Sequence, residues 1–135
     1  MLRVKARAMP SKIEGIGLFA EEKILKGTIT WKFDPMFDIL FEPEEVKKMP
    51  KDIQNLMNHY AYFSTKLGKY VFPLDDSRFT NHSSTRNNVD SVQLPGESEL
   101  VGIANSDIER GEEILVNYRD FDVRDKNSQE EYLRT

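Results

Sequence analysis

The sequence contains no cysteine and only two histidines, His59 and His82, among its 135 residues. Without cysteine the chain can form neither a disulfide framework nor a cysteine-based zinc site. Two histidines also argue against a histidine-rich transition-metal site, so we predict no bound metal. A chain of this length can bury one hydrophobic core without such cross-links, and we predict a single domain over residues 1–135.

Basic charge and long apolar runs are also scarce. The net charge is -4 at pH 7, whereas nucleic-acid-binding domains usually carry a basic excess. We therefore expect no direct contact with nucleic acid, and the acidic surface suits a basic partner. No apolar run reaches membrane-spanning length, and the opening MLRVKARAMP lacks the apolar core of a secretory signal. We expect no membrane contact and an intracellular location, cytoplasmic or nuclear.

Most apolar residues follow the two-residue period of β-strands, or form short β-branched and aromatic runs between turn residues. Strand-like runs in the first half occupy residues 2–8, 17–20, 28–33, 36–41, 60–63 and 69–72. Residues 43–60 differ, because Pro43 precedes two glutamates and the apolar residues after Pro50 recur at helical spacing. We therefore predict a mostly β fold with one short helical insert at about 43–60.

The paired glycines in EGIGLFA match the G-x-G-x-x-A pattern of dinucleotide-binding proteins. That pattern needs a full crossover helix after the glycines, and here Gly27 follows within ten residues. We therefore reject the dinucleotide interpretation. Two alternatives remain open: a turn between two strands, or a loop whose bare backbone lets a polar ligand approach closely.

A dense polar stretch, DSRFTNHSSTRNN, occupies residues 76–88 between strand-like runs. His82 beside Ser83 and Ser84 invites a hydrolase interpretation, but no G-x-S-x-G elbow is present. Taken alone, Asn81 and His82 are typical of a structural loop whose side chains satisfy backbone groups. The lone Tyr118, which ends the strand-like GEEILVNY, is typical of a core or rim residue.

Together, three segments resemble the SET-domain family of protein lysine methyltransferases. They read KIEGIGLFA, RFTNHSSTRNN and ANSDIERGEEILVNY, in the family's order, and the resemblance covers residues 12–121, leaving the tail 122–135 outside. It implies small twisted β-sheets with a knot-like C-terminal segment, without the zinc-binding cysteines that some members carry beside the domain.

The resemblance also implies a function and a site. The function is transfer of a methyl group from S-adenosylmethionine to a lysine ε-amine. Gly15, Ile16 and Gly17 would bind the methionine end of this cofactor, and Asn81 and His82 would present backbone groups to its adenine. Tyr118 would contact the cofactor and act as the catalytic tyrosine. Val116 and Phe33 would line the substrate channel, although the channel could instead be narrowed by Tyr60, Tyr62 or Tyr70.

The implied partner is a lysine-bearing protein or peptide, basic in character, and a homodimer is left open. The chain departs from the family pattern at Ser84, Arg86 and Phe33, where the family has cysteine, proline and tyrosine. These departures support an alternative hypothesis: a catalytically weak or inactive SET-like domain that binds a protein or the cofactor.

Overall fold

The computed structural model describes residues 1–122, which form short strands arranged in four small sheets. The strands are β1 (Ala6–Pro10), β2 (Ile16–Ala20), β3 (Ile29–Trp31), β4 (Asp38–Phe41), β5 (Tyr62–Phe63), β6 (Tyr70–Pro73), β7 (Asn81–His82), β8 (Val89–Val92), β9 (Val101–Ala104) and β10 (Leu115–Val116). Strands β1 and β2 form an antiparallel hairpin, and β7 pairs with β10 in parallel. The other sheets have the orders β3-β9-β8 and β4-β6-β5. The predicted mostly β fold is confirmed.

The helical insert contains two helices, α1 (Pro43–Lys47) and α2 (Lys51–Tyr60). The predicted insert is therefore confirmed, with a break that follows from Pro50. This proline is extended, with ψ at 151°, and its carbonyl accepts the first hydrogen bonds of α2, from the N–H groups of Ile53 and Gln54 at 3.0 and 2.9 Å. Proline lacks the N–H that would continue α1, so the chain restarts as a second helix. No helix within residues 1–122 is long and apolar enough to span a membrane.

Two apolar clusters hold these elements together. The main cluster joins β2, β8 and β9 to the segment before β10; its buried members are Leu18, Ala20, Ile24, Val89, Ala104, Ile108 and Ile114. A smaller cluster places the two helices on the β4-β6-β5 sheet, and its buried members are Val46, Met57 and Ala61. The strand-like runs at 60–63 and 69–72 form an antiparallel hairpin around Gly68, because Tyr62 pairs with Val71 and Phe63 with Tyr70.

The first residues tie the sheets to one another. Leu2 bridges to Trp31 in β3, and its N–H donates to a carboxylate oxygen of Asp75 at 2.7 Å. The ammonium group of Met1 pairs with Asp38 at the start of β4, also at 2.7 Å. Buried backbone groups need hydrogen-bond partners, and here side chains supply the partners between sheets.

Asn88 fixes the C-terminal segment against the polar stretch. Its Nδ2 donates to the carbonyl of Glu113, and its Oδ1 accepts from the N–H of Leu115, both at 2.9 Å. Its own N–H donates to the carbonyl of Leu115 at 3.1 Å. β7 and β10 have two residues each, which is too short for an independently stable pair. The side chain of Asn88 therefore completes the pairing that the strands begin.

We expect Asn88→Ala to lower the free energy of unfolding by about 2 kcal/mol, because it leaves an N–H and a carbonyl without partners. Asn87→Ala is the matched control, since the Asn87 side chain contacts only Val89 and Asp90 nearby. It should cost less than about 0.5 kcal/mol. Urea unfolding of both variants measures the difference, and equal costs would contradict the role given to Asn88.

Candidate active site

The carboxylate of Glu113 joins three separate segments. Ser11, before the glycine loop, donates its hydroxyl to Oε1 at 2.7 Å, and Asn81 in β7 donates Nδ2 to Oε2 at 2.9 Å. Gly17 lies against the same carboxylate: a Cβ added there would come within 2.9 Å of the carboxyl carbon. The second glycine of the G-x-G pattern is therefore required for a packing reason, which the sequence did not reveal.

The side chain of Asn81 also holds the glycine loop. Its Nδ2 lies 3.1 Å from the carbonyl of Glu14 and 3.3 Å from that of Ile16, so two amide protons are shared among three acceptors. Gly15 has φ at +43°, and nothing lies within 4 Å of where its Cβ would be. This side of the loop is therefore open bare backbone, which the ligand-approach alternative requires.

His82 fixes the position of Tyr118. The backbone N–H of Tyr118 donates to His82 Nδ1 at 3.0 Å, and the two ring centroids are 5.0 Å apart. Because Nδ1 accepts, a neutral imidazole must carry its proton on Nε2. The parallel ladder supports this contact: Val116 is the register partner of His82, and its carbonyl accepts from Ser83 N–H at 2.9 Å.

The hydroxyl of Tyr118 is oriented by the backbone. It donates to the carbonyl of Thr80 at 2.6 Å. Since a phenol has one proton, its oxygen can act only as an acceptor towards any further group. Such an oxygen suits an electropositive carbon or an amine proton, and not an anion.

A cavity of about 550 Å³ lies beside these residues, and Val116 and Tyr118 are among its walls. Its aromatic wall is a row of rings in edge-to-face contact: Tyr118 and Phe121 at 6.0 Å, Phe121 and Tyr62 at 5.1 Å, and Tyr62 and Trp31 at 6.4 Å between centroids. Such rings form an apolar surface with electron-rich faces.

Several predicted channel residues can be located against this cavity. Val116 lines it, as do Tyr60 and Tyr62 from the alternative set, whereas Phe33 and Tyr70 are not among its lining residues. Trp31, two residues before Phe33, lines the cavity instead. Phe33 lies beyond β3, which ends at Trp31, so the alternation of a strand does not relate the two side chains. The apolar run predicted a strand here but not which of its aromatic residues reaches the cavity.

The cavity also has a buried acidic wall, which the sequence analysis missed. Glu99 is 2% exposed and accepts hydrogen bonds from the Tyr62 hydroxyl at 3.1 Å and the Leu100 N–H at 2.7 Å. Burial, and then the charge of Glu99, raise the pKa of the Tyr62 phenol well above its ordinary value. Tyr62 and Glu99 are distant in sequence and follow no motif, so no local signal could have paired them.

The structure thus brings Gly15, Ile16 and Gly17 together with Asn81, and His82 with Tyr118. The sequence profile of the SET domain matches residues 15–119 of the chain. The chain belongs to the SET-domain family. This SET domain confirms the family predicted from the sequence, and with it the fold of small sheets and a C-terminal segment packed beside β7.

Solved structures of SET proteins share this fold. A Plasmodium falciparum protein assigned as a histone methyltransferase aligns at 21% identity with a TM-score of 0.58, over 85% of this chain and 93% of that chain. Polycomb Repressive Complex 2 of Chaetomium thermophilum aligns at 22% identity in two forms. An apo form mutated in Ezh2 has a TM-score of 0.67, over 91% of this chain and 16% of that chain. An autoinhibited form bound to S-adenosylmethionine has a TM-score of 0.62, over 87% of this chain and 16% of that chain.

These relatives differ from one another in chain length. The chain spans nearly the whole Plasmodium protein but about one sixth of the Polycomb chains. The search of curated proteins returned no match. At these identities the structural likeness establishes the fold alone.

We expect Gly17→Ala to destabilise the domain by about 2 kcal/mol, because its Cβ would displace the Glu113 carboxylate. In a Glu113→Ala background the same substitution should cost less, although the Ser11 Cβ at 3.0 Å remains close. A double-mutant cycle in urea measures the coupling, expected to be about 1 kcal/mol or more. Additive costs would show that Glu113 does not set the requirement for glycine.

Proposed function

We propose that this SET domain is an S-adenosylmethionine-dependent protein lysine N-methyltransferase. The supporting observation is a chain of direct contacts through two adjacent residues. The Asn81 side chain holds the glycine loop, while the His82 imidazole accepts from the Tyr118 N–H. These contacts connect the segments that the family uses for the cofactor and for catalysis, which supports the proposal.

The residues present fit the cofactor. The open side of Gly15 offers bare backbone to a polar ligand. Asn81 contacts the glycine loop, and the next residue, His82, contacts the Tyr118 ring. Gly15, Ile16, Gly17, Asn81, His82 and Tyr118 would hold it. When bound, S-adenosylmethionine supplies a methyl group on an electrophilic sulfonium.

The chain's own residues would prepare the lysine amine. An ordinary lysine has a pKa of about 10.4 and enters as an ammonium, which cannot attack. Val116, Leu18 and Ile114 contribute apolar walls to the cavity, and burial of the amine against them would favour its neutral form. The Tyr118 oxygen, held as an acceptor by its bond to Thr80, would orient the amine or the methyl group.

The substrate is proposed to be a lysine-bearing protein or peptide of basic character, because the chain itself is acidic. The homodimer and the cytoplasmic or nuclear location stay predictions. The alternative, a SET-like domain that binds without efficient turnover, shares the same cofactor site. Turnover, and not binding, therefore separates the two functions.

Titration with S-adenosylhomocysteine in a calorimeter tests the cofactor site, and we expect saturable one-to-one binding. Tyr118→Phe keeps the ring and removes the hydroxyl, so binding should change little. Methyl transfer to a lysine peptide array with radiolabelled cofactor should fall roughly 100-fold or more. Folded protein that does not bind S-adenosylhomocysteine would refute the proposed function, and unchanged turnover in the variant would remove Tyr118 from catalysis.

Val116 is expected to set how many methyl groups are added. It lies two residues before Tyr118 and lines the cavity, where its small apolar side chain leaves space for a methylated amine to turn. Mass spectrometry over a time course should show di- or trimethyl-lysine with the wild type. Val116→Tyr should shift the product towards monomethyl-lysine. A wild type that stops after one methyl group under excess cofactor would contradict this role.

A further inference from the structure

The cavity contains a buried charge that the proposed methyl transfer does not use. Glu99 lines the same cavity as Val116 and Tyr118 and is almost fully buried. Its two hydrogen-bond donors, the Tyr62 hydroxyl and the Leu100 N–H, are both uncharged. Within residues 1–122, no lysine, arginine or ammonium group forms an ion pair with it.

A carboxylate in this position favours a cationic ligand. Removing a carboxylate from water is costly unless a cation or several hydrogen bonds compensate it. Each oxygen of Glu99 accepts one hydrogen bond, Oε1 from Leu100 and Oε2 from Tyr62. A carboxylate oxygen can accept two, so one position remains on each oxygen. Two parallel N–H groups of a guanidinium match that pair of positions.

The aromatic wall favours the same ligand. Trp31 and Tyr62 line the cavity in edge-to-face contact, with Phe121 beyond Tyr62. A guanidinium stacks on such rings while it pairs with a carboxylate. The cavity volume, about 550 Å³, falls in the range of sites for drug-sized ligands. It therefore has room for a second side chain beside a lysine.

The acidic wall does not suit the reacting lysine itself. A nearby carboxylate stabilises an ammonium, whereas the reaction needs a neutral amine. An arginine side chain stays charged at any working pH and has no such conflict. The chain's own Arg78 also lines the cavity, but its guanidinium lies over the Tyr60 and Phe79 rings and donates to the Leu74 carbonyl.

We propose that Glu99, with Trp31 and Tyr62, forms a specificity subsite for an arginine side chain of the substrate, close in sequence to the target lysine. This inference rests on the proposed function, because it assigns the subsite to the substrate of that reaction. It names a residue type that the substrate must carry besides its lysine.

Titration with Nα-acetylarginine amide, followed by protein NMR without cofactor, tests the subsite directly. We expect saturable binding to the wild type, and binding about tenfold weaker to Glu99→Gln, which keeps the size of the side chain and removes its charge. Glu97→Gln is the matched control, because Glu97 pairs with Lys32 and does not line the cavity. Equal affinity in the wild type and Glu99→Gln would overturn the proposal.

The chemistry of the ligand provides a second comparison. Nα-acetylcitrulline amide has the shape of the arginine probe without its charge, and Nα-acetyllysine amide has the charge without the planar fork. Both should bind more weakly than the arginine probe. If either binds as tightly to the wild type, the guanidinium subsite is wrong.

A second variant covers the case in which Glu99→Gln fails to fold. Trp31→Leu leaves the Glu99 carboxylate in place and removes one aromatic face of the subsite, so arginine binding should weaken about tenfold. Unchanged arginine affinity in folded Trp31→Leu would overturn the subsite.

Peptide kinetics connect the subsite to methyl transfer. In lysine peptides that carry one arginine at successive flanking positions, replacement of arginine by citrulline should raise KM about tenfold at one position and change kcat little. The effect should vanish in Glu99→Gln.

Arginine-amide binding requires neither cofactor nor turnover. Failure of that binding alone refutes the subsite, whereas failure to bind S-adenosylhomocysteine alone refutes the proposed function.

Discussion

The site of this SET domain depends on one carboxylate. Glu113 accepts from Ser11 and Asn81, and it occupies the space that a side chain at position 17 would need. The glycine loop, β7 and the C-terminal segment are far apart in sequence, and this carboxylate contacts all three. A charge-assisted hydrogen bond is stronger than a neutral one, and a half-buried carboxylate must be satisfied. The three family motifs are thus parts of one physical contact.

Side-chain hydrogen bonds connect backbone segments here that a regular sheet would connect through its backbone ladder. Strands of two residues, such as β7 and β10, provide few ladder hydrogen bonds, and the polar stretch between β6 and β8 supplies the others. Asn88 pairs with the backbone on both sides of Ile114, and Ser83 Oγ accepts the N–H of Arg86 at 2.9 Å. The density of Asn and Ser in DSRFTNHSSTRNN follows from this requirement, because a buried irregular segment must satisfy its own polar groups.

The sequence predicted the elements that local pattern controls: the strand-like runs on either side of Gly68, the helical insert, and the order of the three motifs. It did not predict the residues whose role depends on distant partners. Glu99 acts with Tyr62, 37 residues away, and Gly17 is constrained by Glu113. Phe33 follows β3, whose last residue is Trp31, and tertiary packing alone places Trp31 at the cavity. Periodicity identifies which face is buried, but not what it is buried against.

The cavity must satisfy two opposite electrostatic demands. In the proposed reaction, a target lysine near Val116 and Tyr118 would need an environment that disfavours its ammonium form, while Glu99 would stabilise positive charge in the same cavity. Coulomb interactions between groups near a protein interior are weakened less than in bulk water, so the charge of Glu99 would oppose deprotonation of the lysine. A guanidinium paired with Glu99 would cancel most of that field. Substrate recognition and lysine activation would then be coupled, because the arginine that identifies the substrate would also remove an obstacle to forming the neutral amine.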